Sequence, residues 1–116
     1  MLSGADRRLV ETFVERLSGA LGPALTRVVA YGSRTRGDDQ PGSDLDLLVL
    51  TATEPGLEQQ RIASLIAYDL WEESDFAAPE LQPVVVAEAQ YAAWLDRRLT
   101  FASNVERDGQ SVWPAG

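Results

Sequence analysis

The run Asp44-Leu45-Asp46-Leu47-Leu48-Val49-Leu50 sets two carboxylates at the head of an otherwise apolar stretch. Leu45, Leu47, Leu48, Val49 and Leu50 are core residues, so the fold has to bury this segment while leaving room at one end for Asp44 and Asp46. Residues two apart in a strand point to the same face, about 6.6 Å apart along the chain. Both carboxylates can therefore converge on one metal cluster.

The flanking sequence supplies the layers for such a strand. Leu9, Val10, Phe13, Val14, Leu17 and Leu21 recur at helical spacing, with Ser3 as N-cap and Gly22-Pro23 as the stop. Leu25 to Tyr31 reads as a strand ending at Gly32, a short helix starts at Ser33, and the loop DDQPG leads into a second strand from Asp44 to Thr51. Glu54-Pro55-Gly56 opens another amphipathic helix through Leu57, Ile62, Leu65, Ile66 and Leu70, reaching about Glu73. Glu80 to Val86 is the third strand, where Pro83 implies an edge position or a strand start. From Glu88 one helix carries Tyr91, Trp94, Leu95 and Leu99, ends at Asp108-Gly109, and is followed by the short tail SVWPAG. Trp71, Trp94 and Trp113 read as core or interface residues. The order predicts a small mixed α/β (α+β) protein, one domain over residues 1–116, without repeats or linkers.

Composition narrows the chemistry. The sequence has no histidine and no cysteine, which excludes a Ser-His-Asp arrangement, a thiol nucleophile and zinc sites built on those residues. Carboxylates with hard cations remain. A net charge of −8, from 18 acidic and 10 basic residues, argues against non-specific nucleic-acid binding and against anionic membranes. No apolar run reaches the roughly 20 residues of a membrane span, and the first residues lack the order of a secretory signal, so a cytoplasmic protein is expected.

Gly32-Ser33 lies between a strand end and a helix start, where free backbone N–H groups favour an anion. Ser33 adds a hydroxyl donor, and Arg34 or Arg36 a charged contact to phosphate. Taken singly, each feature has a plainer reading: Gly-Ser as a turn, Asp-x-Asp as a solvated strand edge, the arginines as surface residues.

Together, Gly32-Ser33, ten intervening residues and Asp44-x-Asp46 resemble the nucleotidyltransferase signature of the DNA polymerase beta superfamily. The arginines, Gly37 and the Ser43-Asp44-Leu45-Asp46-Leu47 run are similar to the minimal nucleotidyltransferases, often paired with HEPN-domain toxins. The resemblance implies a polymerase-beta-like fold, a small mixed sheet flanked by helices. It also implies a nucleotide held by Gly32, Ser33, Arg34, Arg36 and Ser43, and Mg²⁺, two ions, on Asp44 and Asp46. Members usually place a third carboxylate on a later strand, as ligand and base. Here PELQPVVVAEAQY offers no aspartate, and Glu80 is the nearest acid; it is either that third catalytic and metal ligand or an exposed glutamate ahead of a strand.

The implied activity is Mg²⁺-dependent transfer of AMP from ATP to a hydroxyl, a tyrosine of a partner HEPN toxin, by a protein acting as antitoxin. The chain has no room for the extra domains that bind small-molecule or nucleic-acid acceptors in larger members, which points to an acceptor delivered by a partner. The alternative is an antitoxin with little catalysis that masks the toxin by contact.

Overall fold

The computed structural model describes residues 1–37 and 42–114. The chain runs α1 (Gly4–Leu21), a 3₁₀ turn (Gly22–Ala24), β1 (Leu25–Tyr31), α2 (Ser33–Arg36), β2 (Leu45–Thr51), α3 (Leu57–Glu73), β3 (Leu81–Ala87), α4 (Glu88–Asp96), α5 (Thr100–Asp108) and β4 (Gln110–Trp113). The four strands form one mixed sheet in the order β3-β2-β1-β4. β1 pairs antiparallel with both β2 and β4, and β2 pairs parallel with β3, with α3 as the crossover.

This topology explains the continuous apolar run of β2. Leu45, Leu47 and Val49 join Val28 and Ala30 of β1 in a core beneath α1 and α3, built on Phe13, Leu17, Ala63 and Ala67. Leu48 and Leu50 face the other way, with Val29 and Val86, against Tyr91, Ala102 and Val105 of α4 and α5. A central strand buried on both faces needs apolar residues at consecutive positions.

The first helix begins as expected: Ser3 caps it, its hydroxyl accepting from the Asp6 N–H at 3.1 Å. β1 and α2 fall where the sequence places them. β2 and β3 each start one residue later than expected, at Leu45 and Leu81, leaving Asp44 and Glu80 just ahead of their strands. Pro83 lies in the edge strand, and the Gln60 side chain covers the edge there: its amide donates to the Pro83 carbonyl and accepts from the Val85 N–H, both at 3.0 Å. Of the loop DDQPG, only Gly42 lies within the described residues, so the expected turn at Pro41 falls outside them.

The C-terminal third departs from expectation. The single helix read from Glu88 to Asp108 is two helices, separated at Arg97–Leu99, where Arg98 takes a φ of 56° and Leu99 N–H closes the turn on the Trp94 carbonyl. An unbroken 21-residue helix would extend about 31 Å, beyond the roughly 23 Å of a seven-residue strand. The break lets Tyr91 and Val105 both pack on the sheet. The expected tail is strand β4, paired with β1. No helix among the described residues is long and apolar enough to cross a membrane.

The passage from α5 to β4 depends on Gly109. A Cβ there would stand 2.3 Å from the Val105 carbonyl oxygen and 2.8 Å from Val29 Cγ1. Gly109→Ala should therefore lower stability by about 1–3 kcal/mol through overpacking, read as a lower urea midpoint with an unchanged denaturant slope.

Candidate functional site

The site forms where β1 ends and β2 begins. Antiparallel pairing sets Asp46 opposite Tyr31, one residue before the turn into α2. Gly32 makes that turn with φ 90°. Its carbonyl accepts from the Thr35 hydroxyl at 2.7 Å and from the Thr35 and Arg36 N–H groups at 3.2 Å, which winds the single turn of α2. A Cβ on Gly32 would lie 2.6 Å from Asp46 Oδ2. The Asp46 carboxylate thus rests against bare backbone, and both the positive φ and the close approach require glycine.

Asp44 is exposed and Asp46 half-buried. Burial first, and then the charge of Asp44, push the Asp46 carboxyl above its ordinary range. The Tyr31 hydroxyl is pushed up to about 12, mainly by burial and further by Asp46. These carboxylates form an all-oxygen donor pair whose mutual repulsion a hard cation would relieve. Among the described residues, no three acidic side chains stand close enough to share one metal ion. Two carboxylates still fit Mg²⁺, which usually takes one or two from protein and completes its shell with water and phosphate oxygens.

Parallel pairing decides what stands beside the pair. Asp46 is in register with Gln82 and Leu45 with Leu81, and the Leu45 N–H donates to the Glu80 carbonyl at 2.9 Å. Asp44 and Glu80 consequently line one cavity of about 230 Å³, with Arg34, Trp71, Phe76 and Pro79 in its walls. A second cavity of about 150 Å³ opens on the other side of Gly32, lined by Tyr31, Arg36, Phe101, Asn104 and Asp108.

The remaining expected residues divide between the cavities and the frame. Ser33 opens α2, half-buried, with its carbonyl accepting from Gly37 N–H at 2.9 Å. Arg36 is exposed beside Gly32. Arg34 reaches inward instead: Nη1 donates to Asp6 Oδ2 and Nε to the Ser43 carbonyl, both at 2.9 Å. It thereby ties α2 to α1 and to the residues just before Asp44, and Ser43 takes part through its backbone. The sequence reading missed Asp6, a buried acid in the first turn of α1, a place where acids commonly complement the helix dipole and so carry no distinctive signal. It also missed Gln82, which only the register brings to Asp46, and the aromatic wall of the first cavity.

The family model described as nucleotidyltransferase domain matches residues 7–91, which include Gly32, Asp44, Asp46 and Glu80. Among solved structures, the chain superposes over 90% of its length on 73% of a chain from a toxin–antitoxin complex with AMP-PNP, at 21% identity and a TM-score of 0.56. It superposes over 93% of its length on 73% of a chain from the toxin–antitoxin MntA-HepT, at 20% identity and TM-score 0.51. A third match covers 94% of this chain and 73% of one in a complex of tri-AMPylated Shewanella oneidensis HEPN toxin with MNT antitoxin, at 19% identity and TM-score 0.50. At these identities the likeness is one of fold. No curated protein matches the sequence significantly.

The raised carboxyl of Asp46 has a consequence for stability. A carboxyl whose folded-state pKa lies above its unfolded value favours folding when protonated and disfavours it once ionised. Asp46→Asn should accordingly raise the thermal midpoint at pH 7 in chelator, and the gain should shrink as the pH falls toward 3.8, the ordinary value for aspartate. Thermal denaturation of both proteins across that pH range measures it.

Proposed function

Because the chain belongs to the nucleotidyltransferase domain family, we propose that it transfers AMP from ATP to a hydroxyl of a HEPN-domain toxin and thereby acts as its antitoxin. The observation that carries the reading is the contact of Asp46 with the bare backbone of Gly32. It brings a turn open to phosphate and a pair of carboxylates suited to Mg²⁺ to one point. Such a pairing serves a metal-bound triphosphate, whereas a turn or a solvated strand edge alone would need only half of it.

In this mechanism Gly32 lets the triphosphate approach the backbone, the Ser33 hydroxyl donates to a phosphate oxygen, and Arg36 supplies positive charge from the rim. Arg34, held by Asp6 and Ser43, fixes α2 relative to Asp44 and adds its charge to the cavity wall. Asp44 and Asp46 would hold Mg²⁺, which when bound supplies charge neutralisation at the reacting and leaving oxygens. Glu80, which lines the same cavity as Asp44, would accept the proton of the attacking hydroxyl. The neighbours that bind an ATP analogue or contain an AMPylated HEPN toxin support the choice of nucleotide and partner. Action in the cytoplasm belongs to the same proposal.

A second reading, an antitoxin that works by contact alone, is favoured by one feature: Gln82, not an acid, faces Asp46 across β2 and β3. Incubation of the protein with its HEPN partner, ATP and Mg²⁺ separates the two. The transfer reading expects the partner's intact mass to rise by one or more AMP units, and Asp44→Asn or Asp46→Asn to abolish the gain. Inhibition of the partner by wild type with no mass change would establish the contact reading instead.

A further inference from the structure

The two edges of the sheet are finished differently. At β3 the Gln60 side chain takes up the Pro83 carbonyl and the Val85 N–H. Among the described residues no side chain does the same for the backbone of β4, which pairs with β1 alone. An uncovered edge is a template for a strand from another chain. Backbone bonds give such a strand affinity, and pockets for its alternate side chains give selectivity. β4 is four residues long, so most of the recognition has to come from side chains.

A groove of about 480 Å³ lies between that edge and α1, lined by Glu11, Val14, Glu15, Ser18, Val112 and Trp113. Val14 is buried, and Val112 and Trp113 are half-buried. Glu11 and Glu15 are exposed, and among the described residues neither has an ion-pair partner. The groove shares no residue with the cavities beside Gly32 and Asp44.

An acidic lining with an indole and two valines suits arginine. Its stem packs on apolar surface, and its guanidinium pairs with carboxylates or stacks on an aromatic face. Spacing adds a second criterion. Four residues along a helix, the separation of Glu11 and Glu15, rise about 6 Å, and same-face side chains two apart in a strand stand about 6.6 Å apart. Two arginines with one residue between them match that interval. A second copy of this chain fits less well, since pairing two β4 edges would bring the glutamates of both grooves together in a chain of net charge −8.

We propose that the β4 edge and its groove dock an extended segment of a partner protein that carries two arginines separated by one residue. The segment adds as a strand beside β4, its guanidinium groups on Glu11 and Glu15 and one of them over Trp113. Trp113 pairs with Val28 in the middle of β1, so docking there leaves Gly32 and the Asp44–Asp46 pair uncovered. The surface therefore serves the transfer and the contact readings alike and depends on neither.

The probe is the blocked pentapeptide Val-Arg-Val-Arg-Val. Added at low salt to isotopically labelled protein, it should shift the Trp113 indole N–H resonance, leave those of Trp71 and Trp94 in place, and slow amide hydrogen exchange in β4. Val-Glu-Val-Glu-Val should do none of these. The double variant Glu11→Gln, Glu15→Gln changes two exposed positions and should keep the wild-type thermal midpoint, yet bind the arginine peptide at least tenfold more weakly. Equal affinity for variant and wild type would overturn the proposal, as would a Trp113 shift without slower exchange in β4. No Trp113 shift at millimolar arginine peptide would remove the groove as a docking site. A dimer of the protein whose formation slows the same β4 amides would assign the edge to a second copy instead.

Discussion

The close contact between Asp46 and Gly32 governs how the rest of the molecule is arranged. It exists because β1 and β2 pair antiparallel, with Tyr31 opposite Asp46, and because Gly32 has no side chain to keep the carboxylate away. A half-buried carboxylate beside a second one is a destabilising element of the metal-free fold, as its raised proton affinity shows. Its place at the head of the most buried strand supports the proposal that a cation and an anion bind there together.

The frame around that contact is polar as well as apolar. Arg34 spans Asp6 of α1 and the carbonyl of Ser43, so Ser43, the residue before Asp44, is anchored to the helix layer. The pair is largely shielded from water, and loss of one member would leave the other charge buried, at a cost of about 3–5 kcal/mol. Gln60 does comparable work on the opposite edge, giving β3 the backbone partners that no further strand provides. Register along β3 then fixes which side chains flank the carboxylates, Glu80 beside Asp44 and Gln82 beside Asp46.

Much of this was legible in the sequence where a local signal existed. The cap at Ser3, the stop at Gly22, the span of β1, the one-turn helix after Gly32 and the edge position of Pro83 each rest on residues close in the chain. The break between α4 and α5 was hidden by arithmetic. Tyr91 and Ala102 are eleven residues apart, close to three full helical turns, so the apolar period runs in phase through the interruption. The pairing of the last residues with β1, the Asp6–Arg34 bridge and the Gln82–Asp46 register are long-range facts with no local signature. Arg34 shows the difference most clearly. Its proximity to Gly32-Ser33 suggested a phosphate ligand, and the structure adds a structural partner 28 residues away.

The account's central claim is that the Gly32 turn and the Asp44–Asp46 pair work as one site, joined through a divalent cation. Titration calorimetry of the protein with ATP, in Mg²⁺ and in excess chelator, tests it most directly. Binding in Mg²⁺ that disappears in chelator is the predicted result, because the bare carboxylates repel a triphosphate. Equal affinity in the two conditions would contradict it.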